Sequence, residues 1–287
     1  VYARKFHDID VIVGGHSHTP IHKPKIVDGV IIVQAGSYGK FLGKLDLKVD
    51  VDKDTVVYAF GKLHETVLDS AIFDVAAGNK VNEMIASIEP KMKEVIGKLE
   101  VDWKKNNCGQ WNADALRMLF KTDIAFMNAG SIRKDMLKGD ITVGDIWEIN
   151  PFGNNIMTFS AKGATIKRMM ANNIRMASKD EELSGYDMII FSGMVIRVNP
   201  ERINNENDDF ILSIEVNGKE LDTEKTYSVV TNSYTASQAK KYFGDFGEEI
   251  NATDTNVIDR DALLEAVKQQ KVINNVFETR LFLVKDN

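Results

Sequence analysis

The first part of the fold is indicated by the stretch Asp10-Val-Ile-Val-Gly-Gly-His16-Ser-His18-Thr19. The run Val11 to Val13 consists of branched apolar residues, which is typical of a buried strand. The two glycines that follow allow the backbone to turn sharply. Because open α/β sheets place their sites at the carboxyl ends of strands, His16 and His18 are predicted to emerge at such a site.

The spacing of the two histidines limits what they can bind together. Because the two histidines are two residues apart, both imidazoles reach the same metal centre only if the backbone leaves regular strand geometry or alternates around the site. A neutral imidazole is a common ligand of divalent metals. Since two of the five histidines in the chain fall in this turn, a metal site is favoured over the alternative, a polar loop with two incidental histidines.

Three further blocks lie downstream, and the order and spacing of all four carry a family resemblance. The blocks are Gly14-Gly-His16-Ser-His18-Thr19, Asn128-Ala-Gly-Ser-Ile-Arg133, Gly139-Asp-Ile-Thr-Val-Gly-Asp145 and Asn150-Pro-Phe-Gly-Asn154. The first block resembles the last metal-ligand block of the calcineurin-like metallophosphoesterases. Together the four resemble the 5′-nucleotidase family with its carboxy-terminal domain, and they cover nearly the whole chain.

The resemblance implies metal-dependent hydrolysis of nucleotide phosphate esters, with two divalent ions such as Zn or Mn. His16 and His18 would be metal ligands. In the family the other ligands and a catalytic histidine come from upstream, so no catalytic residue is assigned here, and we expect the chain to begin inside the catalytic domain. The upstream part of that domain and a nucleoside monophosphate would be its partners. A cyclic-nucleotide phosphodiesterase, a nucleotide-sugar hydrolase and a nucleotide-binding fragment without turnover stay open.

Apolar periodicity predicts a mixed α/β (α+β) protein in three parts. Residues 1–72 alternate strands with turns and would form the C-terminal end of the metallophosphoesterase sandwich. Residues 73–98 have apolar positions at three- and four-residue spacing, which predicts an interdomain linker helix that is broken or bent near Pro90. Residues 99–287 would form the substrate-binding domain. Strands are predicted at Val30 to Gln34, Leu42 to Val51, Val56 to Leu63 and Ile124 to Met127 and around Met157, Ile190, Val195 and Ile211, helices near Trp111 to Phe120 and from Thr142, and a loop at Asn204 to Asp209.

The composition is that of a globular protein. With 287 residues, of which 44% are hydrophobic and 27% charged, the chain can bury a sizeable core. The net charge of -6 is spread along the sequence, so polymeric nucleic acid is not expected as a partner. No apolar run reaches the roughly 20 residues that cross a bilayer. No signal peptide is visible, yet the resemblance implies export to the periplasm or the cell surface. The single cysteine, Cys108, excludes an internal disulfide.

Arg133 and Asn128 are the candidate polar contacts for a substrate. Arg133 follows a strand and a glycine turn, so its planar guanidinium is placed to meet the phosphate or ribose oxygens of a nucleotide. The resemblance makes it the binding arginine of the family. Asn128, at the start of the same turn, resembles the family asparagine that hydrogen-bonds the base or the loop itself. The alternatives are a surface arginine and a turn-forming asparagine.

Phe152 and Tyr234 match the two aromatic residues that sandwich the base in the family. Proline and glycine beside Phe152 leave its ring free to project, and a hydrophobic plug is the alternative. The chain departs from the family pattern at two positions. Lys104 stands in place of an arginine and keeps the charge without bidentate geometry, so it is either a substrate contact or a solvated lysine. Asp245 has the wrong spacing to replace the aspartate of the family's Gly-Gly-Asp-Gly run.

Overall fold

The structure, a computed structural model, describes residues 2–6, 8–67, 74–178, 188–204, 210–247 and 250–285. It divides into two compact units, Val1–Glu83 and Met84–Asn287, and each is described by itself. The loop predicted at Asn204 to Asp209 falls outside the described residues except for Asn204. The fold class is mixed α/β, as predicted.

The helices and strands alternate irregularly along the chain. The helices are α1 (Tyr2–Lys5), α2 (Val75–Met92), α3 (Lys105–Phe120), α4 (Val143–Ile149), α5 (Gly163–Ala177), α6 (Ser233–Ser237), α7 (Ala239–Phe243) and α8 (Asp259–Gln270). The strands are β1 (Val11–Val13), β2 (Lys25–Val27), β3 (Val30–Val33), β4 (Phe41–Asp50), β5 (Thr55–Glu65), β6 (Val95–Leu99), β7 (Ile124–Asn128), β8 (Gly139–Thr142), β9 (Asn155–Lys162), β10 (Ile189–Ser192), β11 (Met194–Val198), β12 (Ile211–Val216), β13 (Lys219–Glu220), β14 (Thr226–Asn232), β15 (Thr253–Ile258), β16 (Val272–Ile273) and β17 (Leu281–Leu283). Within the described ranges, no helix is long and apolar enough to span a membrane.

The first unit contains a three-stranded sheet and a separate hairpin. The sheet has the order β1-β3-β2, with β1 parallel and β2 antiparallel to β3. Strands β4 and β5 form the antiparallel hairpin, in which Phe41 faces Glu65. The strands predicted in this region are confirmed to within two residues at each end. The hairpin leaves large apolar side chains in solvent, among them Phe60, which is 54% exposed.

The prediction of one helix over residues 73–98 was wrong in its last part. Helix α2 contains Pro90 in its last turn and ends at Met92, after which Val95–Leu99 forms strand β6. Strand β6 pairs antiparallel with β8 and parallel with β16, so its backbone partners come from far along the chain. A short apolar run fits a helix or a strand by periodicity alone. Pairing with these distant strands makes the segment a strand and not a helix, and Leu99 is fully buried beside them.

The second unit is built on a five-stranded sheet with the order β10-β7-β14-β9-β15. Strand β7 is buried along its whole length, and its side chains alternate between two hydrophobic cores. Ile124 and Phe126 belong to the core that also contains residues of α5 and α7, whereas Ala125 and Met127 belong to the core that contains residues of α3 and α8. A strand that is buried on both faces appears in the sequence as a continuous apolar run. The strand predicted at Ile124 to Met127 is therefore confirmed.

The strand directions bring three turns to one edge of this sheet. Strands β7 and β14 are parallel, with Val230 beside Ala125, so both end at the same edge. Strand β9 is antiparallel to β14, and Asn232 at the end of β14 faces Ile156 near the start of β9. The residues just after β7, just after β14 and just before β9 therefore lie along one line. We call this line, marked by the strand ends Asn128, Asn232 and Asn155, the site edge.

The helix predicted from Thr142 is confirmed as α4. Thr142 is its N-cap: the hydroxyl accepts from the Asp145 N–H at 3.2 Å, and the Asp145 carboxylate accepts from the Thr142 N–H at 2.8 Å. This reciprocal capping box fixes where the helix begins. The helix leads directly into the segment Asn150 to Asn154, which we call the Phe152 loop.

Candidate functional site

Arg133 and Phe152 lie against each other at the site edge. The guanidinium carbon of Arg133 is 5.0 Å from the centre of the Phe152 ring, which is a cation–π distance. The backbone N–H of Arg133 donates to the carbonyl of Ile149 at 2.9 Å, so the turn after β7 is tied to the end of α4. Phe152 is 50% exposed. Half of this residue faces solvent, and its assignment as a base-stacking ring stays a prediction.

The Phe152 loop is held in place by the start of α8. The carbonyl of Asn154 accepts a hydrogen bond from the backbone N–H of Asp259 at 2.8 Å. Arg260 Nη1 donates to a second carbonyl of the loop at 3.5 Å. Gly153 has φ 62°, in the left-handed region that glycine occupies without strain. The loop therefore has a fixed backbone from which the exposed ring projects.

Asn128 uses its side-chain oxygen inside the protein. Asn128 Oδ1 accepts from Asn232 Nδ2 at 3.0 Å and from the hydroxyl of Thr235 at 3.3 Å. The side chain is buried, with 6% of the residue exposed. Of the two roles predicted for this asparagine, contact with a base or with its own loop, the structure places its oxygen in contacts between turns. Its assignment as a substrate-binding residue stays a prediction.

Tyr234 lies in the first turn of α6, directly after β14. Asn232 caps this helix, because its Oδ1 accepts from the backbone N–H of Thr235 at 2.7 Å. Tyr234 is 42% exposed and meets Tyr242 edge-on, with 6.5 Å between ring centres. The sequence motifs had assigned no role to Asn232. An asparagine between a strand and a short helix is the usual N-cap signal, and it would have identified this residue.

The two positions that depart from the family pattern are both engaged with neighbours. Lys104 Nζ donates to Asp135 Oδ2 at 3.1 Å. This hydrogen bond holds the pKa of Asp135 below its ordinary value. The charge of Lys104 is therefore offset by the carboxylate of Asp135, which had not been predicted as a partner. Contact of Lys104 with substrate stays a prediction. Asp245 Oδ1 accepts from the backbone N–H of Gly247 at 3.0 Å, as in an ordinary turn.

His16 and His18 lie in the turn after β1, in the first unit. Their φ values of 65° and 58° show that the backbone leaves strand geometry here. That is the condition under which two imidazoles at this spacing reach one centre. Among the described residues, no group of three or more His, Cys, Asp or Glu side chains is placed to hold a metal ion. Both side chains are of the type that ligates divalent metals, and their assignment as metal ligands stays a prediction.

The sequence profile of the 5'-nucleotidase, C-terminal domain matches residues 86–245. This span is more than half of the 287 residues. The chain belongs to the 5′-nucleotidase family. The matched span contains the site edge with Asn128, Arg133, Phe152 and Tyr234. The match therefore covers the candidate substrate-binding residues of the second unit.

Individual relatives share this part of the chain. The 5'-nucleotidase of Vibrio cholerae is 27% identical over 281 residues, which cover 82% of this chain and 47% of the relative. Endonuclease YhcR of Bacillus subtilis is 27% identical over 269 residues, which cover 91% of this chain and 21% of the relative. The crystal structure of a 5'-nucleotidase precursor from Thermus thermophilus is 25% identical and matches with a TM-score of 0.70 over 97% of this chain and 60% of its own. The chain thus spans less than two thirds of each of these proteins.

Replacing Asn232 by Ala should destabilise the second unit. The change removes the cap of α6 and one partner of the buried Asn128 oxygen, which together should cost about 2 kcal/mol. Urea unfolding followed by circular dichroism measures this. The control is Ser237→Ala, an exposed position in the same helix, which should change the free energy of unfolding by less than about 0.5 kcal/mol. Equal effects of the two substitutions would mean that the Asn128–Asn232 bond does not stabilise the site edge.

Proposed function

We propose that the chain supplies the substrate-binding part of a metal-dependent, 5′-nucleotidase-like phosphohydrolase. In the whole protein the substrate would be a nucleoside monophosphate or a related nucleotide. The observation that carries this proposal is the contact of Arg133 with Phe152 at a sheet edge that also presents Tyr234. A cation suits phosphate or ribose oxygens, and exposed rings suit a base. Membership of the family supports the same assignment.

Each group would act on a different part of the nucleotide. Stacking on Phe152 and Tyr234 would contribute about 1–3 kcal/mol per ring without selecting one base. The planar guanidinium of Arg133 would meet phosphate or ribose oxygens as a fork. Asn128 would act by fixing the turn that carries Arg133, since its oxygen is already used there. A nucleotide held at both ends presents its phosphate ester in a fixed orientation, and such positioning lowers the barrier to reaction.

His16 and His18 would contribute two ligands to the metal ions of the whole protein. Neutral imidazoles are suitable donors for Zn or Mn, and both stand on a left-handed turn at the end of a strand. When bound, divalent ions in phosphoesterases polarise a phosphoryl oxygen and lower the pKa of a bound water. The remaining ligands would come from the upstream part of the catalytic domain. The whole protein would be exported, as the family resemblance implies.

A second candidate function is nucleotide binding without turnover by this chain alone. The observation that favours it is that the described residues bring no three metal-ligating side chains together. A related hydrolase of cyclic nucleotides or nucleotide sugars would use the same rings and the same cation. All of these functions would use the same base-binding groups at the site edge. A binding test therefore examines those groups, and a turnover test distinguishes hydrolysis from binding alone.

Phosphate release from AMP in the presence of Mn²⁺ tests the proposed reaction. Activity should appear only when the upstream part of the catalytic domain is joined to the chain or added to it. In the joined protein, His16→Ala should lower activity by about 10–100-fold or more, because loss of even an indirect metal support commonly has that effect. His22→Ala is the control, since His22 lies outside the turn and packs edge-on against Phe41. Turnover by the chain alone, or full activity of His16→Ala, would contradict the proposal.

Phe152→Ala should weaken AMP binding about tenfold or more, because a stacked ring contributes about 1–3 kcal/mol. Binding of ribose 5-phosphate, which has no base, should change little. Isothermal titration calorimetry of the two ligands with the parent and the variant measures the difference. Tyr234→Ala should give the same selective loss if this ring is the second wall of the base site. A loss that is equal for both ligands would remove the substituted ring from base binding.

Arg133→Lys should weaken AMP binding almost as much as Arg133→Ala. The reason is that a guanidinium binds oxygens as a planar fork, and a lysine keeps only the charge. Titration of both variants with AMP and with ribose 5-phosphate gives the comparison. Lys134→Ala is a matched control, because the neighbouring Lys134 is paired with Glu148. If Arg133→Lys binds like the parent, the arginine acts as a simple charge or does not touch the ligand.

A further inference from the structure

A group of buried polar side chains lies beneath the Phe152 loop, on the side away from solvent. Asp259, the first residue of α8, and Asn150, the first residue of the loop, are both fully buried. Asp259 Oδ1 accepts from the backbone N–H of Arg260 at 2.7 Å. Asp259 Oδ2 and both amide atoms of Asn150 are buried without an ordinary hydrogen-bond partner. A buried polar group in such a position is costly, so its presence calls for a physical reason.

Asp259 lies next to the end of the Phe152 loop through a backbone hydrogen bond to Asn154, and Asn150 at the start of the loop is fully buried, as Asp259 is. The side-chain amides of Asn150 and Asn154 both lie close enough to pull the pKa of Asp259 down, although burial has the larger effect and raises it above the ordinary value. The contacts are looser than ordinary hydrogen bonds, since neither amide is within bonding geometry of Oδ2. The backbone makes the connection firm, because the Asp259 N–H donates to the Asn154 carbonyl at 2.8 Å.

The neighbouring residue, Arg260, also contacts the segment around this loop. The guanidinium carbon of Arg260 is 3.5 Å from the centre of the Trp147 ring, in the helix that precedes the loop. Arg260 Nη1 donates to the carbonyl of Pro151 at 3.5 Å. A side chain at Gly153 would place its Cβ 3.5 Å from Arg260 Nη2. The first two residues of α8 therefore contact the loop at its start, its middle and its end.

We propose that Asp259 is a positioning residue of the base site, which holds the Phe152 loop in its binding conformation through Asn150 and Asn154. This inference rests on the proposed function, because it concerns the loop that would present a ring to the base. Asp259 does not touch the ligand: it is fully buried, while the Phe152 ring is 50% exposed. Its effect on binding passes through the loop backbone.

The chain offers a matched control in the same helical turn. Asp259 and Asp261 are the two acidic residues in the first turn of α8, and both interact with the helix dipole. Asp261 is exposed, whereas Asp259 is buried. Replacing either by Ala removes one carboxyl group from the start of the helix. Only Asp259→Ala removes the carboxyl beneath the loop, so a difference between the two variants isolates that contact.

The binding experiment is calorimetry of the full chain with AMP and with ribose 5-phosphate. Asp259→Ala should weaken AMP binding about tenfold, the size expected when one stacked ring is displaced, and should leave ribose 5-phosphate binding unchanged. Asp261→Ala should match the parent for both ligands. Asp259→Asn, which keeps the shape and offers a neutral amide to Asn150, should restore most of the lost AMP affinity. In a Phe152→Ala background, Asp259→Ala should cause no further loss.

Hydrogen exchange, measured by mass spectrometry without ligand, gives a second and independent readout. The backbone amides of residues 150–155 should exchange faster in Asp259→Ala than in the parent, and Asp261→Ala should not alter them. If Asp259→Ala does not fold, Asn150→Ala takes its place, because Asn150 is fully buried and cannot itself touch a ligand. It should cause the same selective loss of AMP affinity.

Two results would overturn the inference. The first is that the amides of residues 150–155 exchange hydrogen at the parent rate in Asp259→Ala or Asn150→Ala. The second is that Asp259→Ala lowers AMP affinity by the same factor in the Phe152→Ala background as in the parent. Failure of the proposed function gives a different result. If the parent binds AMP no better than ribose 5-phosphate, the base site is refuted. The hydrogen exchange of residues 150–155 still decides whether Asp259 holds the loop.

Discussion

The hydrogen bond from Asn232 Nδ2 to Asn128 Oδ1, 3.0 Å long, joins the ends of two parallel strands at the centre of the second unit. Both side chains are buried, and a buried amide that loses its partner costs about 1–3 kcal/mol. The turn that leads to Arg133 and the turn that leads to Tyr234 are therefore coupled. Asn232 also caps the helix that carries Tyr234, so one side chain fixes both the spacing and the direction of the two turns.

The site edge depends on a sheet that is buried on both faces. Strand β7 sends alternate side chains into two separate cores, which makes the strand ends a rigid base for the turns. About half of Phe152 and of Tyr234 stays exposed after folding, and that exposed part adds nothing to the burial of apolar surface that stabilises a fold. Grouped apolar side chains that stay exposed are found at ligand-binding grooves, which agrees with the role proposed for the site edge.

Sequence reasoning was accurate where the signal is local and failed where the partner is distant. The apolar run of β7 and the Thr142–Asp145 capping box identify their elements from neighbouring residues. Strand β6 was predicted as helix because its partners, β8 and β16, lie far along the chain. Resemblance to the family named Arg133 and Phe152 as separate candidates. Their contact follows from loop and turn geometry that no local pattern contains. Asp259 was missed for a similar reason, since its sequence context does not distinguish it from an exposed acid.

The proposed function assigns binding and reaction to different residues of the chain. Arginine and asparagine offer hydrogen-bond donors, and phenylalanine and tyrosine offer flat ring faces. These groups agree with the role proposed for the site edge, which is to bind and orient a ligand. Imidazoles are common ligands of divalent metals, and His16 and His18 lie in the other unit of the chain. Substitutions at the site edge should then alter ligand affinity first, while substitutions at the histidine turn should alter turnover and leave nucleotide binding by the second unit nearly unchanged.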